Sequence, residues 1–159
     1  MNTLSFNSSI GWITLSEENS LITSVKFGKK KNKGKNAVLI KLKKQIIEFT
    51  KGKRKKFSVK LNIEGSALQK NIWKQLSKIS YGTTKTYRDI AKALRTSPRY
   101  VGNVCGQNNH LLVIPCHRVV RSDGTLGGFS GSPVKAKILY LESFSGPICA
   151  TAYLSGTSA

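Results

Sequence analysis

The residues best suited to chemistry in this sequence are Cys116 and His117, which are adjacent within the segment 114–120. A thiolate is a good nucleophile, and a thiol with an ordinary pKa of about 8.5 needs a base or a positive field to lose its proton. His117 and the neighbouring Arg118 could supply these. Adjacent side chains on an extended strand point to opposite faces, so a buried structural cysteine beside an unrelated histidine stays an open alternative.

Two predicted helices lie shortly before this pair. Thr86 and Asp89 form a capping-box pattern at the start of one helix, and Ser97 followed by Pro98 opens another that extends to about Gly106. The short link between them is typical of a helix-turn-helix, whose second helix faces DNA.

The second of these helices carries a single charged side chain, Arg99, and two glycines, Gly102 and Gly106. Small residues let a backbone approach a DNA groove closely. They also let two helices pack closely together, so the local pattern leaves both interpretations open.

The charge of the chain favours an anionic partner. There are 27 Lys plus Arg against 7 Asp plus Glu, a net charge of +20. Nucleic acid is the leading hypothesis, an anionic membrane surface is the second, and a merely solvated basic surface is the third. Residues 26–60 hold 15 of the basic residues and one acid, Glu48. We expect residues 28–36 to form an exposed loop.

Composition disfavours several other classes of protein. No apolar run approaches the roughly 20 residues that cross a bilayer. Residues 1–10 contain no Lys or Arg, which argues against a signal or transit peptide. The three cysteines, Cys105, Cys116 and Cys149, are odd in number and widely spaced, which disfavours a disulfide framework and fits a reducing cytosol.

The elements that must position these residues form two parts, with a boundary near residues 63–66. In the first part, apolar runs at 10–15 and 21–27 predict a hairpin, a 3–4 spacing over 39–49 predicts a helix, and strict alternation over 57–63 predicts a third strand. In the second part, Ser66 and Gln69 form another capping box, and Ser132 with Pro133 opens a last helix. The uncharged tail, 144–159, is expected to be poorly ordered.

The segment 115–119, Pro-Cys-His-Arg-Val, resembles the active-site signature of the O6-alkylguanine-DNA alkyltransferases, the methylated-DNA–protein-cysteine methyltransferases. Members of this family repair DNA by moving an alkyl group from guanine O6 to their own cysteine. Further matching segments follow in order and spacing: 81–82, 86–87, 97–102, Asn108, 128–131 and 139–142. The resemblance is strong over about residues 65–143 and weak before them, where it depends on 45–49 and 52–54.

The resemblance implies a catalytic role for four residues. Cys116 is the alkyl acceptor, and His117 takes the thiol proton through a water. Glu142 orients and stabilises the imidazolium, as the third group does beside other activated nucleophiles. Tyr87 displaces the target phosphate and hydrogen-bonds the flipped base.

The resemblance also implies how DNA is held. Arg99 enters the duplex in the minor groove and fills the gap left by the extruded guanine, because O6 is out of reach while the base is stacked. The remaining DNA-binding residues are Tyr87, Tyr100, Gly102 and Asn103. Asn108 braces the link between the recognition helix and the active site. The residues implied for the substrate pocket are Asn108, Val119, Phe129, Ser130, Gly131 and Lys135.

Some positions depart from the family pattern. Asn103 stands where a second small residue is common, and Cys105 stands where a larger apolar residue is common. Asn109 and His110 replace a stretch that contains proline, and Phe129 replaces a tyrosine. The first part has no Cys and no His, so the structural zinc of some relatives is not expected.

The resemblance implies an α+β fold. We expect a small N-terminal three-stranded antiparallel sheet with a helix (ribonuclease H-like) over 1–63. A mostly helical domain with a winged helix-turn-helix follows over 64–143, for DNA binding and alkyl transfer. The expected partner is double-stranded DNA containing O6-alkylguanine. No cofactor, metal or membrane is expected, and the protein is expected to be monomeric and cytoplasmic, on the nucleoid when bound to DNA.

Two kinds of non-enzymatic protein are the alternatives. One is a relative that binds alkylated bases but lacks the acceptor cysteine, and Cys116 argues against it. The other is a helix-turn-helix DNA-binding protein, which would not need the segment 115–119. A thiol hydrolase is a third alternative, and it would turn over, whereas alkyl transfer to cysteine ends in a stable thioether.

Overall fold

The N-terminal part is built on an antiparallel sheet of three strands, β1 (Asn2–Ser8), β2 (Gly11–Glu18) and β3 (Leu21–Phe27), in the order β1-β2-β3. Asn19 and Ser20 connect β2 to β3, and both have positive φ, 53° and 65°. A two-residue loop with both φ angles positive matches the right-handed twist of the flanking strands. The expected hairpin and the three-stranded antiparallel sheet are therefore confirmed.

A computed structural model supplies this description, which covers residues 1–126 and 132–143. The predicted pocket residues Phe129, Ser130 and Gly131, and the tail 144–159, lie outside the described residues. No helix in the described part of the chain is long and apolar enough to cross a membrane.

One helix, α1 (Ala37–Thr50), covers this sheet and contacts all three strands. Asn36 caps it, because the Asn36 side chain accepts a hydrogen bond from the backbone N–H of Val38 at 2.7 Å. The predicted helical face is buried, and it packs on apolar strand residues such as Ile13 and Leu15. The buried apolar residues of α1 are Leu39, Leu42, Ile46 and Phe49.

The predicted strand at 57–63 is wrong, and β1 takes its place as the third strand. The alternation of exposure at 57–60 is present, but the backbone makes only one isolated bridge, from Leu61 to Ile22. At Ser58 the hydrogen bonds come from the Gln45 side chain and not from a neighbouring strand. The Gln45 oxygen accepts from Ser58 N at 3.0 Å, and its amide donates to Ser58 Oγ at 2.7 Å. Half-burial at every second residue therefore arises here without a ladder.

The C-terminal part carries three helices before the Cys–His pair: α2 (Ala67–Ser77), α3 (Tyr87–Leu94) and α4 (Pro98–Gly106). The capping boxes at Ser66 and Thr86 and the cap at Ser97 are confirmed. Arg95 ends α3 in the left-handed conformation, with φ 54°, and α4 packs on α3. Capping thus sets the start of each helix, and the left-handed residue turns the chain between α3 and α4.

Short elements complete this part. β4 (Lys85–Thr86) pairs in parallel with β5 (Val119–Val120), and a single 3₁₀ turn, Cys116–Arg118, precedes β5. The last helix, α5 (Ser132–Ser143), contacts this turn. A small apolar cluster joins β5 to α5; its members are Val120, Leu126, Ala136 and Leu139.

The described chain divides into two compact units. Residues 1–64 together with 109–113 form the first, and residues 65–108 together with those from 114 onward form the second. The segment 109–113 belongs to the first unit because Val25 N donates to Asn109 O at 2.7 Å and Leu111 N donates to Val25 O at 3.1 Å. Composition gave no sign of this pairing.

The burial pattern of α1 makes a stability prediction. Leu42 is fully buried, whereas Ile40, two residues earlier on the same helix, is 58% exposed. We expect Leu42→Ala to lower the free energy of unfolding by about 2–5 kcal/mol, through lost burial and the cavity left behind. Ile40→Ala should change it by about 0.5 kcal/mol or less. Urea unfolding measures both, and equal losses would show that α1 does not pack through the Leu42 face.

Candidate active site

Cys116 opens the 3₁₀ turn that connects Pro115 to β5. The turn is closed by backbone hydrogen bonds, from Cys116 N to Ile114 O at 2.8 Å and from Arg118 N to Pro115 O at 3.0 Å. The Cys116 side chain is only 1% exposed. A tight turn therefore holds the thiol inside the protein rather than on a flexible surface loop.

Asn108 links the end of α4 to this turn. Its side-chain amide donates to Ile114 O at 3.0 Å and to Cys116 Sγ at 3.2 Å, and the residue itself is buried. A donor at this distance stabilises a thiolate more than a thiol. Asn108 thus fixes the sulfur in position and favours its charged form.

Burial nevertheless dominates the ionisation of the thiol. It raises the pKa of Cys116 to about 11, against the opposing effects of the Asn108 hydrogen bond and the Lys135 charge. The thiol is therefore neutral at physiological pH and must lose its proton during a reaction. The pKa of Cys116 thus lies well above the value of about 8.5 of an unperturbed thiol.

His117 lies next to the thiol in the chain and is completely buried. Its Nε2 is 2.8 Å from Glu142 Oε1. A carboxylate oxygen can only accept, so we assign the ring proton to Nε2, which donates to Glu142. Nδ1 then holds a lone pair, and it makes no hydrogen bond within the described residues. Burial lowers the pKa of His117 although the Glu142 charge opposes this, so the ring is a neutral base.

Glu142 also pairs with Arg118. The Arg118 guanidinium donates to both carboxylate oxygens, with Nε at 3.0 and 3.1 Å and Nη2 at 2.8 Å, and its Nη1 donates to Ile79 O at 2.7 Å. Burial alone would raise the pKa of Glu142, but His117 and Arg118 lower it below its usual value. The carboxylate is therefore ionised and has a buried counter-charge.

Sequence reasoning missed this pairing, because it considered Arg118 only as a positive field near the thiol. A usable signal was present in the sequence. Glu142 is the only acidic residue after Asp123, so a buried arginine in this segment had few candidates for a partner.

Lys135 on α5 is buried as completely as His117. Its ammonium donates to Val119 O at 2.6 Å and to Leu126 O, and it lies 3.5 Å from the Tyr87 hydroxyl. Burial lowers the pKa of Lys135 to about 8, against the opposing effect of the two nearby cysteines. This ammonium connects α5, β5 and α3 through oxygen acceptors.

Tyr87 stands at the start of α3, beside an open groove of about 510 Å³. Its buried ring lies under Gly102 of α4, where a Cβ would meet it at 3.9 Å. Burial raises the pKa of Tyr87, so its hydroxyl stays protonated. The arginines of this groove come from α3, α4 and the loop after β5, and its full lining is Tyr87, Arg88, Pro98, Arg99, Gly102, Asn103, Arg121 and Ser122.

The structure brings the predicted site residues into two sets. The first is buried at and around the turn 116–118; it comprises Cys116, His117, Glu142, Asn108, Val119, Lys135 and Tyr87. The second lies on α4, where Arg99 and Asn103 are exposed and Tyr100 and Gly102 are partly exposed. Cys105 is also buried, as a free thiol. No group of three His, Cys, Asp or Glu in the described ranges could hold a metal ion.

Comparison with known proteins gives the same family over most of the chain. Residues 67–144 match the family model described as "6-O-methylguanine DNA methyltransferase, DNA binding domain". A methylated-DNA–protein-cysteine methyltransferase of Metallosphaera sedula is 37% identical over 141 residues, which cover 86% of this chain and 90% of the relative. One from Sulfolobus acidocaldarius is 34% identical over 140 residues, with the same coverage of each chain.

Solved structures with a similar fold belong to the same family. The crystal structure of Mycobacterium tuberculosis OGT in complex with DNA superposes with a TM-score of 0.79 at 28% identity, covering 91% of this chain and 94% of that one. An O6-methylguanine-DNA methyltransferase from Pyrococcus kodakaraensis gives a TM-score of 0.58 at 26% identity, covering 89% and 99%. The α+β architecture expected from the sequence is therefore confirmed.

The buried pair of Glu142 and Arg118 makes a pH-dependent prediction. Glu142→Gln leaves the guanidinium without its counter-charge and should lower the free energy of unfolding by about 3 kcal/mol at neutral pH. Because the folded pKa of Glu142 is lowered, its contribution is complete above the unfolded value of about 4.3 and is lost as the pH falls through the folded pKa.

Denaturant unfolding of the two proteins from pH 7 to pH 3 measures this difference. It should be largest at pH 7 and should shrink below about pH 4. The exposed residue Glu64 supplies a matched control, and Glu64→Gln should change stability by about 0.5 kcal/mol or less. A difference that stays constant down to pH 3 would show that Glu142 is not ionised in the folded protein.

Proposed function

The chain belongs to the methylated-DNA–protein-cysteine methyltransferases, enzymes of direct-reversal DNA repair, and we propose that it moves the alkyl group of an O6-alkylguanine in duplex DNA onto its own Cys116. The observation that carries this proposal is the buried Cys116 thiol, followed in the chain by a histidine whose Nε2 lies 2.8 Å from a carboxylate. That arrangement provides a nucleophile, a base and a group that orients the base.

The proposed reaction is a single displacement at the alkyl carbon. The sulfur forms a bond to this carbon while the bond from the carbon to guanine O6 breaks, and the electron pair of that bond stays on the guanine. The thiol proton passes through a water to Nδ1 of His117, and the released guanine takes up one proton. Glu142 stabilises the imidazolium, because its carboxylate is already ionised and 2.8 Å from the ring.

The product explains why one protein molecule repairs one lesion. The sulfur becomes a thioether, which has no proton to lose and is a poor leaving group. Neither His117 nor Lys135 could cleave a carbon–sulfur bond by taking up or giving a proton. The enzyme is therefore consumed stoichiometrically.

A buried thiol requires that the guanine leave the duplex to reach it. Arg99 is exposed on α4 and is a suitable side chain to occupy the gap in the stack. Tyr87 borders the same groove and contacts Lys135, so it can hydrogen-bond the extruded base beside the thiol. Tyr100, Gly102 and Asn103 would complete the contact with the minor groove.

Backbone groups of Cys116 and Val119 are proposed to read the edge of the guanine, together with Ser130. The Val119 carbonyl already accepts a hydrogen bond from Lys135, and a carbonyl has a second lone pair for the base. Lys135 would thus hold this acceptor in place. Phe129 and Gly131 complete the proposed pocket.

The finer assignments follow from family membership. Residues 1–63 would form a ribonuclease H-like domain, and 64–143 a domain with a winged helix-turn-helix for DNA binding and alkyl transfer. The protein would act as a cytoplasmic monomer and join the nucleoid when bound to DNA. A relative that only binds alkylated bases is disfavoured by Cys116 itself.

The stoichiometry is tested by intact mass after incubation with O6-methylguanine DNA. The mass should rise once, by one methylene, and peptide mapping should find the addition on Cys116. Cys116→Ala should lose transfer and keep DNA binding, whereas Cys105→Ala should keep both. Repeated turnover, or labelling of Cys105, would be incompatible with the proposal.

A pair of variants separates base flipping from chemistry. Extrusion costs a few kcal/mol in a duplex and much less for an unpaired base. Arg99→Ala should therefore slow repair of duplex DNA far more than transfer from free O6-benzylguanine. His117→Ala should slow both, since both require the thiol proton to leave. Single-turnover rates on the two substrates measure this, and Lys92→Ala, another exposed basic residue nearby, is the matched control.

The pH dependence identifies the role of His117. Without a base, the rate should follow the thiolate fraction and rise about tenfold per pH unit towards the Cys116 pKa of about 11. The wild-type rate should depend on pH less steeply, so the defect should shrink in alkali. A His117→Ala defect of the same size at every pH would mean that His117 does not take the thiol proton.

For the Arg99→Ala variant, equal losses on duplex DNA and on free O6-benzylguanine would exclude a role of Arg99 in base flipping.

A further inference from the structure

A lysine-rich loop in the first unit is held in a defined place, although its composition is that of a free surface loop. We call residues 28–35 the lysine loop. Its backbone makes two hydrogen bonds with the edge strand β1, Thr3 N to Lys33 O and Lys33 N to Thr3 O, both 2.8 Å. Ser5 adds two more, from its N–H to Asn32 Oδ1 at 2.7 Å and from Lys30 N to its hydroxyl at 3.3 Å. The loop therefore lies along the free edge of the sheet.

The cationic side chains beside this edge are those of the loop. The lysines of the loop, Lys29, Lys30, Lys31, Lys33 and Lys35, are all exposed. The Lys29 ammonium lies 4.6 Å from the centre of the Trp12 ring, and that of Lys43 on α1 lies 5.7 Å from the Phe6 ring. Trp12 is the partner of Asn7 in the β1–β2 register. Phe6 pairs with Ile13, which faces α1, so Lys43 lies on the helix face of the sheet, whereas Lys29 at Trp12 lies on the opposite face. The loop lysines are thus distributed beside β1 between Thr3 and Asn7, a length of about 13 Å.

The charge of this surface is not neutralised. The chain has no acidic residue between Glu18 and Glu48. The Glu17 carboxylate is buried and accepts from Asn2 and Ser20, and Glu48 pairs with Arg54 at 3.1 Å. None of the described acidic side chains pairs with a lysine of the loop. The positive potential is therefore available to an external partner.

We propose that the lysine loop forms a second DNA-contacting surface, which holds backbone phosphates of duplex DNA without reading their sequence. Each strand of a duplex carries one phosphate per about 3.4 Å of helix axis. An edge of about 13 Å that runs along the axis therefore spans about four phosphates of one strand. Cations fixed on a sheet edge lose less freedom on binding than those of a free loop. The choice of DNA over another polyanion rests on the proposed function of the chain.

The test is the salt dependence of binding to undamaged duplex DNA. The variant replaces Lys29, Lys30, Lys31 and Lys33 by glutamine, and the control replaces the equally exposed residues Lys51, Lys53, Lys56 and Lys60. Both remove four charges from the same unit. If the four loop lysines contact phosphates, the slope of log affinity against log salt should weaken by about 3 to 4 in the variant, and by less than about 1 in the control.

Two results would overturn the proposal. One is an unchanged slope of log affinity against log salt in the variant. If that variant also lost binding to phosphatidylserine vesicles, the lysine loop would contact an anionic membrane instead of DNA. The other is an equal weakening in variant and control, which would mean that net charge alone matters. Transfer from free O6-benzylguanine is measured in parallel and should be equal in all three proteins, which shows that they fold. If the wild-type protein did not take up the benzyl group, the proposed function would be wrong. The salt dependence of DNA affinity would still test the lysine loop in that case.

Discussion

The ionised carboxylate of Glu142, completely buried between His117 and Arg118, is the interaction on which the site depends. A carboxylate removed from water is costly unless it has a counter-charge and hydrogen bonds that satisfy its oxygens. Arg118 supplies the charge, and the same guanidinium is fixed by the Ile79 carbonyl. Glu142 can therefore hold the His117 ring in one tautomer without itself taking the proton. A neutral imidazole with a lone pair on Nδ1 follows from this pairing.

This arrangement connects the reactive thiol to the helix that is proposed to enter DNA. Asn108, two residues after α4, donates to Cys116 Sγ, and α4 carries Arg99 at its other end. Lys135 connects α5 to Tyr87 on α3 and to Val119 beside the thiol turn. Tyr87, which would contact the extruded base, and Asn108, which follows α4, therefore both contact groups of the transfer site within one unit. A displacement of α4 would therefore also displace the Asn108 amide that donates to the sulfur.

Local signals in the sequence were sufficient for much of this structure. Side chains such as Ser66 and Thr86 cap helices by contacts three residues away, so their patterns predicted the helix starts correctly. The segment 57–63 failed because half-burial at alternate residues does not require a ladder, and here a glutamine side chain replaces the neighbouring strand. The Arg118–Glu142 pair joins residues 24 positions apart, so no local sequence pattern predicts it. The lysine loop is held to β1 mainly by backbone hydrogen bonds, which do not depend on side-chain type and so leave no pattern either.

The proposed chemistry depends above all on the protonation state of His117 in the unreacted protein. Nitrogen-15 NMR of labelled protein distinguishes the two neutral tautomers from the imidazolium, and His110→Gln assigns the signals, since the chain has two histidines. At neutral pH, before reaction, we expect a neutral ring with its proton on Nε2, and in Glu142→Ala, which removes the acceptor, a loss of that preference. A proton on Nδ1, or an imidazolium already present in the unreacted protein, would contradict it, because His117 could then not accept the proton of Cys116.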